Sequence, residues 1–264
     1  MPVSNSVDRE PGRETDGERS GDESADGLPI NELFYSLQGE GILAGVPSMF
    51  VRTSGCNLRC WFCDSYHTSW EPTHAWMSLE EIVAEIEASD ADHVVLTGGE
   101  PLLHEASVAL LEALDDRGYH TTVETNGTIY RDAPIDLVSV SPKLASSTPT
   151  PERDPSGEGE WAERHEADRI DIDALARLVA EYDFQLKFVV TDADDMPEIL
   201  ELLADLRAAA DVPIPDEDVL LMPEGATRER LAETRSRVAD LAMEYGFRYT
   251  PRLHVDLWND APET

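Results

Sequence analysis

The sequence of 264 residues contains little cysteine and no long apolar run. Its three cysteines are an odd number, so internal disulfides cannot pair all of them. All three fall within one short segment, and in an intracellular protein adjacent cysteines favour metal or redox chemistry over structural bridges. No apolar stretch approaches the ~20 residues that a membrane helix needs, and the polar N-terminus has no segment of the signal-peptide type. We therefore expect a soluble, cytoplasmic protein with no membrane partner.

Positive charge is also scarce. The chain has 55 acidic residues against 20 basic ones, and a net charge of -35. A surface this acidic repels phosphate backbones, so free DNA or RNA is not an expected partner. Lys143 and Lys187 are the only lysines. Such a composition suggests a halophilic protein whose surface lysines have been replaced, and both remaining lysines lie near the ends of predicted strands.

Apolar runs alternate with helical patterns along most of the chain. Residues 1–27 lack apolar clusters and are interpreted as a disordered acidic tail, and residues 28–264 as one domain. The predicted strands are 48–53, 93–97, 119–124, 136–140, 184–190, 218–222 and 247–250, and the predicted helices are 78–89, 104–117, 171–182, 195–209 and 226–245. Repeated strand–helix units predict an α/β fold with a parallel sheet, long enough for a partial barrel.

One polar segment interrupts this alternation. Residues 144–168 contain several prolines and glycines and are predicted to be a surface insertion. The alternative is a small additional structural element.

Polar or glycine-rich strings follow nearly every predicted strand. They lie at 54–56, 97–101, 124–127, 141–143, 223–225 and 251–254. In parallel α/β folds the carboxyl ends of the strands form the active site, so we expect these strings to share one rim. Gln185 and Lys187 face the same side of their strand. Because burying an unpaired ammonium is costly, Lys187 must meet either a ligand or a buried acid.

The three cysteines form a C-x3-C-x2-C pattern after the first predicted strand. Cys56, Cys60 and Cys63 could hold zinc with His67 as a fourth ligand, or Cys60 and Cys63 could form a thiol–disulfide pair. Iron–sulfur clusters normally take four protein ligands. Three thiolates would leave one iron of a four-iron cluster open to an exogenous ligand, and the amino and carboxylate groups of S-adenosylmethionine (SAM) can fill that position.

The cysteine pattern, the aromatic Phe62 just before the last cysteine, and the Gly-Gly-Glu-Pro string at 98–101 together resemble the radical SAM superfamily. This resemblance implies a [4Fe-4S] cluster on Cys56, Cys60 and Cys63, and SAM as a cofactor that yields a 5′-deoxyadenosyl radical. It also implies a modified, partial (β/α) TIM-like barrel.

Further strings resemble the 7-carboxy-7-deazaguanine synthase family within that superfamily. They are 37–41, 49–56, 63–65, 97–101, 124–128, 141–143 and 251–254. The resemblance implies a lyase that converts 6-carboxy-5,6,7,8-tetrahydropterin to 7-carboxy-7-deazaguanine with release of ammonia, on the path to queuosine or archaeosine. It further implies Mg²⁺, a reducing electron donor and a homodimer. The alternatives are another radical SAM enzyme, such as a glycyl-radical activase, or a zinc-binding module that is not an enzyme.

The same resemblance implies roles for individual residues. The residues expected at SAM are Phe62, Cys63, Asp64, Gly99, Ser141, Pro142, Lys143, Leu221, Met222, Pro223 and Glu224. Those expected at the pterin are Leu37, Gln38, Gly39, Glu40, Arg52 and Thr97, with Arg52 gripping the substrate carboxylate. Ser65 is expected to bind Mg²⁺, which prefers oxygen ligands.

Simpler interpretations remain for several of these residues. Arg52 could form a structural ion pair, 37–40 could be a plain turn, and Ser65 could be a turn hydroxyl. Five rim residues receive no assigned role: Glu124, Asn126, Gln185, Lys187 and His254. Many relatives end soon after a Leu-Trp-Gly string, whereas this chain continues with Asn259 after Leu257 and Trp258, which leaves any substrate contact from the chain end undecided.

Overall fold

The computed structural model describes residues 27–157, 159–259 and 261. Within these residues nine strands form one open sheet in the order β3-β1-β2-β4-β5-β6-β7-β8-β9. The strands are β1 (Gly27–Leu37), β2 (Pro47–Thr53), β3 (Ala75–Ser78), β4 (His93–Gly98), β5 (His120–Thr125), β6 (Leu137–Val140), β7 (Phe184–Val190), β8 (Val219–Pro223) and β9 (Arg248–Tyr249). The sheet does not close, so the fold is a partial barrel, as the sequence predicted.

Helices lie between most of the strands, and one follows the last strand. They are α1 (Tyr66–Ser69), α2 (Leu79–Glu87), α3 (Ala106–Asp115), α4 (Ala162–Asp168), α5 (Ile172–Glu181), α6 (Met196–Ala209), α7 (Arg228–Tyr245) and α8 (Leu253–Trp258). The start of α2 follows directly from its sequence. Ser78 Oγ accepts from the Glu81 N–H, and the Glu81 carboxylate accepts from the Ser78 N–H, as in a capping box.

All seven predicted strands and all five predicted helices are present, with ends that differ by at most two residues. Strands β2 and β4 to β9 are parallel throughout. The side chains of β4 and β8 are almost entirely buried, which explains why their continuous apolar runs could be recognised.

The antiparallel part of the sheet was not predicted. Strand β1 pairs with β2 on one side and with β3 on the other. Its sequence contains Pro29 and a register shift between Ile30 and Glu32. These interruptions break the simple alternation that marks a strand in sequence. Strand β1 therefore extends the sheet beyond the strand–helix units and leads directly into the 38–41 turn.

The polar segment 144–168 is partly built into the molecule. It contains a 3₁₀ turn at Ala145–Ser147 and helix α4, and Ser147 and His165 are buried. The alternative of a small structural element describes it better than a purely surface insertion.

The predicted tail falls almost wholly outside the described residues, since only Gly27 of the segment 1–27 is described, and it begins β1. No helix in the part of the chain that the structure describes is long and apolar enough to cross a bilayer.

Candidate active site

A cavity of about 590 Å³ opens at the carboxyl ends of the parallel strands. Its wall includes Thr97 from β4, Thr125 from β5, Ser141 after β6 and Glu224 after β8. The strings that follow the strands therefore do meet at one rim, as the sequence predicted. The cysteine loop after β2 closes one side of the same cavity.

The three cysteines of this loop all face the cavity. Cys56, Cys60 and Cys63 are free thiols that line its wall. Leu58 N–H donates to Cys56 Sγ at 3.4 Å, and the Ser69 hydroxyl donates to Cys63 Sγ at 3.2 Å. Burial raises the pKa values of Cys56 and Cys60 to about 12. The thiols are therefore neutral on their own, and binding of iron would release their protons.

This donor set fits an iron–sulfur cluster. Thiolates are the ligands that hold such clusters, and here three of them face one open space. Among the described residues, no three His, Cys, Asp or Glu side chains converge on a position for a single metal ion. The cavity beside the thiols leaves room for a ligand on the cluster's fourth iron.

Residues that follow β4 and β5 contact the cysteine loop and support it. A Cβ atom at Gly99 would collide with the Gly55 carbonyl, so only glycine allows this approach. Buried Glu100 accepts from the Asn126 N–H at 2.7 Å, and Asn126 Nδ2 donates to Asn57 Oδ1 at 3.0 Å. Asn57 lies between Cys56 and Cys60, so this chain of hydrogen bonds fixes the loop that carries the thiols. Asn126 thereby gains a positioning role that the sequence did not reveal.

Segment 144–168 supports the loop from its other side. His165 Nδ1 accepts from the Arg59 N–H at 3.1 Å, so its proton lies on Nε2, which donates to Ser147 Oγ at 2.9 Å. Burial lowers the pKa of His165 to about 4, which keeps the imidazole neutral. The backbone N–H of Trp61 donates to the Ser147 carbonyl at 3.1 Å. The Arg59 guanidinium stacks 4.3 Å from the ring centroid of Trp161.

A buried charge network forms another part of the cavity wall. Lys187 Nζ donates to Glu40 at 2.5 Å, and Arg252 Nε donates to the same carboxylate at 2.9 Å. Arg252 also pairs with Asp64. Although burial disfavours its charge, Lys187 and Arg252 hold the pKa of Glu40 well below its ordinary value. Likewise, Arg252 outweighs desolvation and lowers the pKa of Asp64. The wall therefore stays ionised at neutral pH.

A second acidic side chain lies beside this network. Glu124 accepts from Gln38 Nε2 at 3.1 Å and from Thr97 Oγ1 at 2.9 Å, and it lies 3.8 Å from Lys187 Nζ. His254 also lines the cavity, and burial lowers the pKa of its imidazole. A side chain at Gly39 would collide with His254, so glycine lets the 38–41 turn approach this histidine.

Arg52 and Ser65 meet at a third position on the wall. Arg52 donates to Ser65 Oγ at 2.8 Å, and its Nε lies 2.8 Å from the Glu32 carboxylate. Arg52 thus has an ion pair, and it also reaches the hydroxyl expected to bind Mg²⁺. Ser65 makes no side-chain cap to helix α1, so its hydroxyl has no capping role.

On the side expected for SAM, Lys143 Nζ donates to the carbonyl and the hydroxyl of Ser141, at 2.8 and 2.7 Å. Arg230 donates to Glu224 at 2.7 Å. Phe62 and Met222 also line the cavity.

The predicted site residues fall into two groups. Those that line the cavity are Leu37, Gln38, Gly39, Glu40, Arg52, Cys56, Cys60, Phe62, Cys63, Asp64, Ser65, Thr97, Gly99, Ser141, Lys143, Met222 and Glu224. Pro142, Leu221 and Pro223 are not part of this lining, and Leu221 packs in the hydrophobic core because side chains alternate along β8. Gln185, a rim residue without an assigned role, donates to Ser139 Oγ and accepts from the Ile42 N–H.

Sequence reasoning missed two important wall residues. Arg252 belongs to the 251–254 string, and its position just after a predicted strand could have indicated a role. The sequence could not show that its partners are Glu40 and Asp64. Glu32 lies in β1, which was not predicted as a strand, so no signal pointed to it.

Comparison with known proteins agrees with this geometry. A profile of the radical SAM superfamily matches residues 50–164. The chain is 68% identical over 265 residues to a 7-carboxy-7-deazaguanine synthase from Halobacterium salinarum, with 100% of each chain covered. It is 41% identical over 243 residues to a protein of the same name from Rhodopirellula baltica, which covers 92% of this chain and 90% of the relative.

A solved structure is also similar. The crystal structure of QueE from Escherichia coli matches with a TM-score of 0.62 and 27% sequence identity. The match covers 86% of this chain and 95% of the other.

Proposed function

The chain belongs to the 7-carboxy-7-deazaguanine synthase family of radical SAM enzymes, and on that premise we propose which of its residues perform the reaction. It is a lyase that converts 6-carboxy-5,6,7,8-tetrahydropterin to 7-carboxy-7-deazaguanine with release of ammonia. One observation gives the strongest support for assigning the reaction to this cavity. Three free thiols and the ionised network of Glu40, Lys187 and Arg252 open onto the same space.

Cys56, Cys60 and Cys63 hold the [4Fe-4S] cluster in this proposal. When bound, the cluster and SAM supply a 5′-deoxyadenosyl radical that starts the ring contraction. Gly99 keeps this part of the wall clear of side chains. Lys143, fixed by Ser141, presents a cation at the rim.

Arg52 and Ser65 act together on the substrate carboxylate. A guanidinium fork suits a carboxylate, and a hydroxyl oxygen suits Mg²⁺, which keeps several of its waters. Their contact at 2.8 Å supports a shared site, at which Arg52 would bind the carboxylate and Ser65 would hold the Mg²⁺ ion. The ion pair of Arg52 with Glu32 orients the guanidinium for this purpose.

Glu40 and Glu124 face the donor-rich pyrimidine edge of the pterin. A carboxylate offers about four lone-pair positions, so Glu40 retains acceptor capacity beyond its bonds to Lys187 and Arg252. Gln38 and Thr97 hold Glu124 in place. Gly39 allows the backbone of the 37–40 turn to lie close to the bound ring.

The electron that opens the cycle comes from a separate reducing donor, because the cluster takes all three cysteines of the chain. We place the enzyme in the cytoplasm as a homodimer. The family resemblance supports the dimer.

The test uses the full chain with its cluster reconstituted under anaerobic conditions. Incubation with SAM, a chemical reductant, Mg²⁺ and carboxytetrahydropterin should yield ammonia and 7-carboxy-7-deazaguanine in equal amounts. We expect Arg52→Lys to lower kcat/KM by about 10- to 100-fold, since a charged hydrogen bond is worth about 1.5–3 kcal/mol. Arg117→Lys is the matched control, because Arg117 pairs with Glu87 on the surface. Absence of both products from the unmodified enzyme would refute the assignment.

A further inference from the structure

A second cleft, of about 350 Å³, lies on the outer side of the cysteine loop. Trp61 forms part of its wall, whereas the adjacent residues Cys60 and Phe62 line the active-site cavity. The cleft therefore reaches the cluster-binding loop from the side opposite to SAM and substrate. Whatever occupies it approaches the cluster without entering the active site.

Three arginine side chains lie together in this cleft, although the protein is strongly acidic. Its wall contains Arg153, Arg230 and Arg237. Arg230 is paired with Glu224 and Glu233. Arg153 and Arg237 are exposed, and in the part of the chain that the structure describes neither forms an ion pair with a carboxylate. The Arg153 guanidinium lies 5.6 Å from the ring centroid of Trp61.

The acidic residues of the same wall are already engaged. Asp192 accepts from the Asp194 N–H at 2.8 Å, and Glu233 is bonded to Arg230 at 2.9 Å. Two arginines thus remain available to an incoming negative group.

A second group of aromatic and cationic side chains lies beside the same loop. Arg59 and Arg164 stack on Trp161, at 4.3 and 5.1 Å from its ring centroid. Tryptophan and arginine are among the residues most enriched at the energetic centres of protein interfaces. The chain's net charge of -35 repels an acidic protein over most of the surface, so such a partner is directed to this arginine-rich area.

We propose that the Trp61 cleft is the docking site of an acidic one-electron carrier protein that reduces the cluster. The carrier loses one electron from its reduced iron–sulfur or flavin centre. The [4Fe-4S]²⁺ cluster gains that electron and becomes [4Fe-4S]⁺, with no bond made or broken. The inference rests on the proposed function, because it requires a cluster on Cys56, Cys60 and Cys63.

The experiment compares unmodified holoenzyme with the double variant Arg153→Glu/Arg237→Glu. The probe is an acidic [2Fe-2S] ferredoxin reduced beforehand, and stopped-flow absorbance follows reduction of the cluster. We expect the second-order rate constant to fall about tenfold or more in the variant. The difference should shrink as salt is raised within the range in which the enzyme stays folded. Calorimetry should show a matching loss of affinity for the oxidised ferredoxin.

Arg248→Glu is the matched control, since it makes the same charge change at an exposed arginine on β9, outside the cleft. Photoreduced deazaflavin, a small reductant that needs no docking, should reduce the cluster of all three proteins equally, which also verifies that each variant is folded. A double variant that accepts electrons from ferredoxin at the unmodified rate would overturn the docking site. Lack of deazaguanine product from unmodified enzyme with deazaflavin would instead count against the proposed function.

Discussion

At the scale of single residues, the cavity wall depends on the pairing of Glu40 with Lys187. Both side chains are nearly buried, at 11% and 5% exposed, and 2.5 Å apart. Breaking a buried ion pair by removing one partner leaves an uncompensated charge, which costs about 3–5 kcal/mol. Arg252 also contacts Glu40, so it reduces that penalty without abolishing it.

We therefore expect Lys187→Met to lower the free energy of unfolding by up to about 3–5 kcal/mol. Denaturant unfolding measures this change. The double variant Lys187→Met/Glu40→Gln should lose less than the sum of its single variants, with a coupling of about 1–3 kcal/mol. Lys143→Met provides the control, because in the described residues the Lys143 ammonium bonds only to Ser141 and has no acidic partner. Strict additivity in the cycle would mean that the two side chains do not depend on each other.

At the scale of elements, helix α4 and the turn before it hold the cluster loop in place. His165 connects the N–H of Arg59, a residue inside the thiol motif, to Ser147. Neither His165 nor Ser147 belongs to that motif. Since such supporting contacts tune both the affinity and the orientation of metal ligands, the segment 144–168 should influence the cluster without touching it.

We expect His165→Ala to reduce the iron bound per chain after reconstitution and to change the midpoint potential of the remaining cluster. Its loss leaves the part-buried Arg59 N–H without this acceptor, which costs up to about 1–3 kcal/mol. His165→Gln, which can both donate and accept, should restore part of the iron content. Glu163→Ala, an exposed change on the same helix, should bind iron like the unmodified protein. Equal iron content and potential in the alanine variant would show that α4 only covers the loop.

The pKa of His165 also predicts how this element responds to acid. Because burial lowers the folded-state value from 6.5 to about 4, the unfolded chain binds a proton that the folded chain does not between these pH values. Stability is therefore lost as the pH falls from about 6.5 towards 4. His165→Gln should flatten that part of the curve of unfolding free energy against pH, whereas Glu163→Ala should leave it unchanged.

At the scale of the whole molecule, a net charge of -35 makes the compact state repel itself. Salt screens such repulsion, with a Debye length of about 10 Å at 0.1 M and about 3 Å at 1 M. We expect the thermal midpoint to rise between these concentrations, by about 2–4 °C for each kcal/mol of repulsion removed. Potassium chloride and sodium chloride should act alike, while an equal osmolarity of an uncharged sugar serves as the control. A thermal midpoint that does not change with salt concentration would contradict the expected halophilic behaviour.

The sequence by itself determined the features that are encoded locally. The thiols of Cys56, Cys60 and Cys63 fall within eight residues, and each buried parallel strand is a short apolar run that can be recognised alone. For the same reason, the polar strings after these strands could be assigned to one rim, and most of the predicted residues do line one cavity.

Only the tertiary structure decided which charges meet. Glu40 contacts Lys187 and Arg252 across 147 and 212 positions of sequence, and the 38–41 turn is placed by strand β1, whose irregular pattern hid it. The side-chain period of two likewise turned Leu221 into the core while Met222 faces the cavity. Long-range partners depend on strand order, register and burial, and none of these is a property of a local segment.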